Sequence, residues 1–287
     1  MPGQNESVFE KISAKYYELT ASEKKTADYV MSHQHATQSM SITELAEASG
    51  VADATVSRFC RRLGYGGYNA FKLAVANASA VASREEFALY GQVTESDSFE
   101  ELCGKLYSAD TSAISQTLEL MNEDSIIRAV DILGGAEKVF CMGQGGSMIL
   151  AADAAHAFEV LGNKFIPIAD SHLQIIAASN MTRRDAILFF SYSGATREMM
   201  DTLATAKERD ARVVLITRFP KAPGAAYADV ILPCGTSESP LQMGSVAAKI
   251  AQLFIVDILF SELCRRNMEK SRENSERIAT VLATKHL

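Results

Sequence analysis

Tryptophan is absent from the 287 residues, and proline and cysteine are scarce at six and five. Cys60, Cys103, Cys141, Cys234 and Cys264 lie far apart with no C-x-x-C pair, which argues against a disulfide framework or a zinc site. Long hydrophobic runs are missing too. The longest apolar stretch, Val246 to Phe260, carries Lys249 and Asp257 and falls short of the roughly 20 residues that a membrane span needs. The opening residues, Met1-Pro2-Gly3-Gln4-Asn5-Glu6, have neither the basic nor the apolar region of a secretory signal, so a cytoplasmic chain without a membrane partner is expected. No internal repeat or low-complexity tract occurs. A content of 47% hydrophobic and 22% charged residues excludes a disordered chain, and the length predicts about two domains.

Charge is unevenly placed. The chain carries −7 overall, yet residues 1–80 balance at eight basic and eight acidic. After Asp53 no acid appears until Glu85, whereas Arg58, Arg61, Arg62, Lys72 and Arg84 fall in that interval. Thr20 to Glu23 and Ser41 to Glu44 each fit the capping box, in which a hydroxyl and a carboxylate reciprocally satisfy the N–H groups at a helix start. The second of these helices is expected over Ile42–Ala48, with Ile42, Leu45 and Ala46 inward and Gly50 breaking it. In Ala54–Leu63, Val56, Phe59, Cys60 and Leu63 recur at helical spacing on one face. The other face offers Thr55, Ser57, Arg58, Arg61 and Arg62. A short helix, a glycine turn and a second basic helix suit a helix-turn-helix reader of double-stranded DNA. Thr55 and Ser57 are small enough to approach bases, Arg58 can fork onto guanine, and Arg61 and Arg62 can reach phosphates. The solvated face of an ordinary helical hairpin would show the same pattern.

The run from Ile42 to Ala46, then Val51 to Tyr65, then Gly67-Tyr68 and Phe71-Lys72, resembles the N-terminal domain of RpiR-family bacterial transcriptional regulators over most of residues 5–80. That resemblance adds Tyr68 and Lys72 to the DNA-binding set. Ala52 departs from it, standing where the family usually has a serine that caps the recognition helix, which leaves Asp53 as the candidate cap. Residues 81–124 read as a linker and a leading helix, with apolar spacing at Leu102, Leu106, Ala109, Ala113, Ile114, Thr117 and Leu118.

From Ile126 strands and helices alternate, implying a parallel sheet covered on both faces. Strands are expected at 138–142, 164–168, 186–190, 213–216 and 230–232, and helices at 148–161 and 198–209. Two loops between a strand and a helix carry chemistry. Gly143-Gln144-Gly145-Gly146-Ser147 and Ser191-Tyr192-Ser193-Gly194-Ala195-Thr196 place hydroxyls and backbone N–H groups at helix N-termini, where unpaired donors and the helix dipole favour phosphate. The dinucleotide fingerprint fails because Met148 occupies its third glycine position and no ribose-reading acid follows about 20 residues on; the lysine-bearing P-loop pattern is absent. Each loop could otherwise be a plain tight turn.

Residues 125–260 resemble the SIS (sugar isomerase) domain, which binds phosphorylated sugars. The resemblance implies that Gln144, Gly145, Gly146 and Ser147, together with Ser191, Ser193 and Thr196, hold phosphate and sugar oxygens, and that Glu238 faces the sugar. The expected fold is therefore an all-α helix-turn-helix N-terminal domain (1–80) followed by an α/β SIS domain (125–262), a three-layer αβα unit on a five-stranded parallel sheet, with a helical tail at 263–287. The expected function is DNA-binding regulation of sugar or amino-sugar genes under control of a phosphosugar effector. Paired readers imply a homodimer or homotetramer on an operator of two-fold symmetry. The alternative is a phosphosugar isomerase, with His156 and Glu238 as the acid and base. A basic reading helix has no use in an isomerase, so the regulator is favoured. His33 and His35, two apart on a helix, point in different directions and cannot share a metal, and no cofactor is called for. The helix from Val246 offers Ile250, Leu253, Phe254 and Ile258 either to the sheet or to a second subunit. Ile278, Val281 and Leu282 form the apolar side of an extra docking helix.

Overall fold

The structure, a computed structural model, describes residues 7–82, 93–94, 96–235 and 245–284. The first helices are α1 (Val8–Lys15), α2 (Ala21–Ser32), α3 (Gln34–Thr37), α4 (Ile42–Ser49), α5 (Asp53–Arg62) and α6 (Tyr68–Ala82). Both predicted capping boxes form: Thr20 Oγ1 accepts from Glu23 N–H and Ser41 Oγ from Glu44 N–H, while each glutamate returns the bond to the cap's own N–H. Val8, Ile12, Val30, Leu45, Val56, Phe59, Phe71 and Val75 close one core, with Phe59 and Phe71 edge to face at 5.4 Å. Helix α7 (Phe99–Leu120) follows, and the described residues part into two compact units between Ala109 and Asp110. Only Ala113 and Thr117 of α7 are buried; Leu106 and Leu118, expected inward, are exposed.

The second unit continues through α8 (Glu123–Gly135), β1 (Lys138–Gly143), α9 (Gly146–Ala157), β2 (Phe165–Ile168), α10 (Ser171–Ser179) and β3 (Asp185–Phe190). It ends with α11 (Arg197–Glu208), β4 (Arg212–Thr217), β5 (Val230–Pro233), α12 (Val246–Arg266) and α13 (Met268–Ala283). All five strands are parallel, in the order β2-β1-β3-β4-β5. Every residue of β3 is buried, because the strand is central and helices cover both sides. Ala186, Leu188 and Phe190 enter the layer of α8, α9 and α12; Ile187 and Phe189 enter that of α10 and α11. The three-layer expectation holds.

Two helices dock differently from their apolar patterns. Helix α12 buries Ala251, Ile255, Val256, Leu259 and Leu263; Leu253 is half-buried and packs against the same core, and Ile250, Phe254 and Ile258 are half-buried. In α13 Val281 and Leu282 are exposed, and the buried contacts are polar: Asn274 Nδ2 donates to the Val160 carbonyl at 2.9 Å. No helix among the described residues is long and apolar enough to cross a membrane.

The amino end of the sheet is tied by Asp229, whose carboxylate accepts from Lys207 at 3.0 Å, Arg212 at 2.9 Å and the Val213 N–H at 2.8 Å. Burial works to raise its pKa, but these donors outweigh burial and hold it below the usual carboxylate range. A depressed folded-state pKa stabilises fully above the unfolded value of about 3.9 and fades as pH falls through the folded one. Asp229→Asn is therefore expected to lower the thermal midpoint at neutral pH, and thermal scans should show the gap to wild type closing below about pH 4.

Candidate DNA-reading and anion-binding sites

The turn between α4 and α5 depends on Gly50, which sits at φ 65°, ψ 41°. A side chain there would be strained, and the left-handed residue lets the Val51 N–H reach back to the Ala46 carbonyl at 2.9 Å. Helix α5 then opens on Ala52 with no side-chain cap. Asp53 does not replace the missing serine: its carboxylate accepts from Thr43 Oγ1 at 2.9 Å and so ties the starts of α4 and α5 together. Val56, Phe59, Cys60 and Leu63 are buried, as their spacing requires, and burial pushes the Cys60 thiol up to about 12.

On the opposite side Arg58 and Arg61 are exposed and Ser57 is half-buried. Two residues expected to face DNA are instead internal. Thr55 is 7% exposed and its hydroxyl accepts from Arg58 at 3.1 Å, one turn on along the same helix. Tyr68 is 9% exposed and donates to the Met40 carbonyl at 2.8 Å; burial first, and then Cys60 and Glu44, raise its pKa far above normal. Arg62 is exposed but engaged with its own domain, at 3.3 Å from the buried Glu23 and donating to the Glu18 carbonyl at 2.7 Å, while Lys15 Nζ donates to the Arg62 carbonyl at 2.8 Å. Lys72 is half-buried on α6. Glu23 and Lys15 anchor α5 through Arg62; the sequence singled out Glu23 only as a capping residue and Lys15 not at all.

In the second unit Gly143 pairs with Phe190, the last positions of adjacent parallel strands β1 and β3. The segments 144–147 and 191–196 therefore leave the sheet side by side at its carboxyl edge, where the strand order reverses, the place at which open α/β sheets form their ligand crevice. A Cβ on Gly143 would stand 2.6 Å from the Ser147 carbonyl oxygen, so only glycine permits this loop. Helices α2, α4, α8 and α10 open on side-chain caps from Thr20, Ser41, Asn122 and Asp170; α9 and α11, which open from these loops, have none. Ser147, Ser193 and Thr196 are half-buried. Ser191, 5% exposed, accepts from the Gly194 N–H at 3.2 Å, and Ser193 accepts from Ala195 N–H at 3.4 Å. Glu238 lies outside the described residues. His156 is exposed on α9, 3.9 Å from Glu159, and His172 is exposed at the start of α10.

One residue went unnoticed in the sequence. Gln174 on α10 is fully buried and donates through Nε2 to the Gly143 carbonyl at 3.0 Å and the Ile168 carbonyl at 2.7 Å, joining the carboxyl ends of β1 and β2. A lone amide in the apolar stretch 171–179 was the available signal.

Known proteins share both halves. Residues 6–82 match the helix-turn-helix domain of the rpiR family, and residues 132–262 match the SIS domain. An HTH-type transcriptional regulator of Caldanaerobacter subterraneus is 30% identical over 269 residues, covering 94% of each chain. The chain belongs to the RpiR family of transcriptional regulators. HexR of Escherichia coli, another HTH-type regulator, is 27% identical to this RpiR-type regulator and covers 96% of this chain and 94% of its own. The solved structure of Vibrio vulnificus NanR complexed with ManNAc-6P is 26% identical, covers 98% of this chain and 100% of its own, and has a TM-score of 0.86. For a regulator of this family, Tyr68 acts as a structural tie between α6 and the Met40 turn. Tyr68→Phe is expected to cost about 1 kcal/mol in urea denaturation and to leave operator affinity unchanged in a gel-shift titration.

Proposed function

We propose that this RpiR-type regulator senses a phosphorylated sugar in the crevice between β1 and β3 and that the bound sugar alters its hold on a two-fold symmetric operator. The observation that carries the reading is the pair of helices, α9 and α11, whose starts lack side-chain caps and leave adjacent strands at one edge. A phosphate there gains from both dipoles and from the hydroxyls of Ser147, Ser191, Ser193 and Thr196, while the N–H groups of Gly145 and Gly146 supply further donors. ManNAc-6P in NanR, on a similar fold, supports the same ligand class.

DNA reading falls to residues 1–80. Ser57 and Arg58 reach base edges, and Arg61 and Lys72 hold phosphates. Thr55 and Tyr68 serve this surface from within, and exposed Arg62 steadies the end of α5 through Glu23 and the Glu18 carbonyl. The effector acts by preferring one arrangement of a homodimer or homotetramer, which changes the spacing of the paired α5 helices; equal affinity for both arrangements would shift nothing.

Thermal unfolding against a panel of sugar phosphates and their unphosphorylated parents tests the sensor. One phosphosugar should raise the midpoint while its parent does not, and a uniform absence of shifts would remove the crevice as an effector site. Ser193→Ala should abolish the effector response in an operator gel shift and leave effector-independent binding intact. Arg58→Ala should weaken specific operator binding by about 1–3 kcal/mol with little change on unrelated DNA, and equal losses on both would reassign it to the phosphates.

A further inference from the structure

The amides of Gln144 and Gln174, beside the carboxyl ends of β1 and β2, have an orientation that chemistry alone dictates. Gln174 Nε2 lies 3.0 and 2.7 Å from the carbonyl oxygens of Gly143 and Ile168, which can only accept. Gln174 Oε1 is thereby left as an acceptor, and it receives Gln144 Nε2 at 2.8 Å. Reversing Gln144 would bring two acceptor oxygens together, so its NH2 end is committed to Gln174 and its own Oε1 is turned away. That oxygen takes no hydrogen bond from the described residues, and Gln144 is half-buried beside Gly145, where α9 begins. Buried Gln174 cannot turn to release it, since both of its donors are held by the strand ends.

The polarity decides what Gln144 can recognise. A phosphate oxygen offers only lone pairs and is repelled by Oε1, whereas a hydroxyl offers a proton. We propose that Gln144 reads a hydroxyl of the sugar, not the phosphate, and that Gln174 is the positioning residue that fixes it as an acceptor. The inference rests on the phosphosugar reading of the crevice and divides its labour. The hydroxyls and helix starts take the charged end, and Gln144 takes one O–H of the carbohydrate. A site that presents a committed acceptor discriminates against analogues that have no hydroxyl to give, because the acceptor is then left unpaired.

The test is calorimetric titration of the full-length chain with N-acetylmannosamine 6-phosphate, glucosamine 6-phosphate, fructose 6-phosphate and inorganic phosphate. In the phosphosugar that binds wild type, Gln144→Met should lose roughly tenfold in affinity, the size of one neutral hydrogen bond, with inorganic phosphate unaffected. Gln174→Met should produce a loss of similar size, and the double variant no further loss, which a merely structural effect of Gln174 would not reproduce. Equal losses for phosphosugar and inorganic phosphate in Gln144→Met, or no loss in either, overturn the assignment while leaving the crevice as the effector site. Wild type that binds none of the phosphosugars overturns the crevice reading and the assignment with it. Gln144 lies in a surface loop, so its variant decides the matter even where Gln174→Met fails to fold.

Discussion

The parallel pairing of β1 with β3 is the constraint on which the SIS half is built. Because β2 turns to one side of β1 and β3, β4 and β5 continue on the other, the connections diverge at this junction and cannot cover the carboxyl edge between the two strands. Phosphate-binding donors need such an edge. Backbone N–H groups at helix starts are fixed by the fold, whereas a lysine or arginine must be ordered at an entropic cost. The close approach of Gly143 to Ser147 and the Gln174 bonds to two strand ends hold the loop in the shape that aims those donors.

The reading half relies on another kind of fixation. Helix α5 has only ten residues, too short to be stable by itself, and its stability comes from packing. Its inner side is locked by Val56, Phe59 and Cys60, its start by Asp53 to Thr43, and its end by Lys15, Glu23 and the Glu18 carbonyl acting on Arg62. Glu23 therefore works twice, as the partner in the Thr20 capping box and as the anchor for the recognition helix. A helix held in this way carries the exposed Arg58 and Arg61 on a backbone with little ordering left to do on binding.

Periodicity and capping chemistry made most of this fold legible. The capping boxes, the five strands and the inner side of α5 follow from local rules that tertiary packing did not override. The misplaced residues fail for an identifiable reason. Thr55 lies within about 100° of Val56 on the helix, so the width of the buried stripe, which depends on α4, decides its side. Tyr68 carries a polar tip whose partner, the Met40 carbonyl, is 28 residues away and invisible to any local pattern. The same holds for Gln174, whose importance appears only when β1 and β2 meet, and for α13, where polar docking through Asn274 outranks the apolar spacing.

The complete burial of β3 also bears on the order of assembly. A strand sealed on both faces and both edges has nowhere to settle until β1, β4 and the two helical layers are present, and its partner positions, such as Lys138 and Asp185, are far apart in sequence. The helix-turn-helix unit precedes the sheet along the chain, so its helices leave the ribosome before the sheet does. The SIS sheet therefore forms by a slow, long-range closure. During synthesis a nascent chain has its whole helix-turn-helix domain outside the ribosome before the last strand of its SIS sheet has been made.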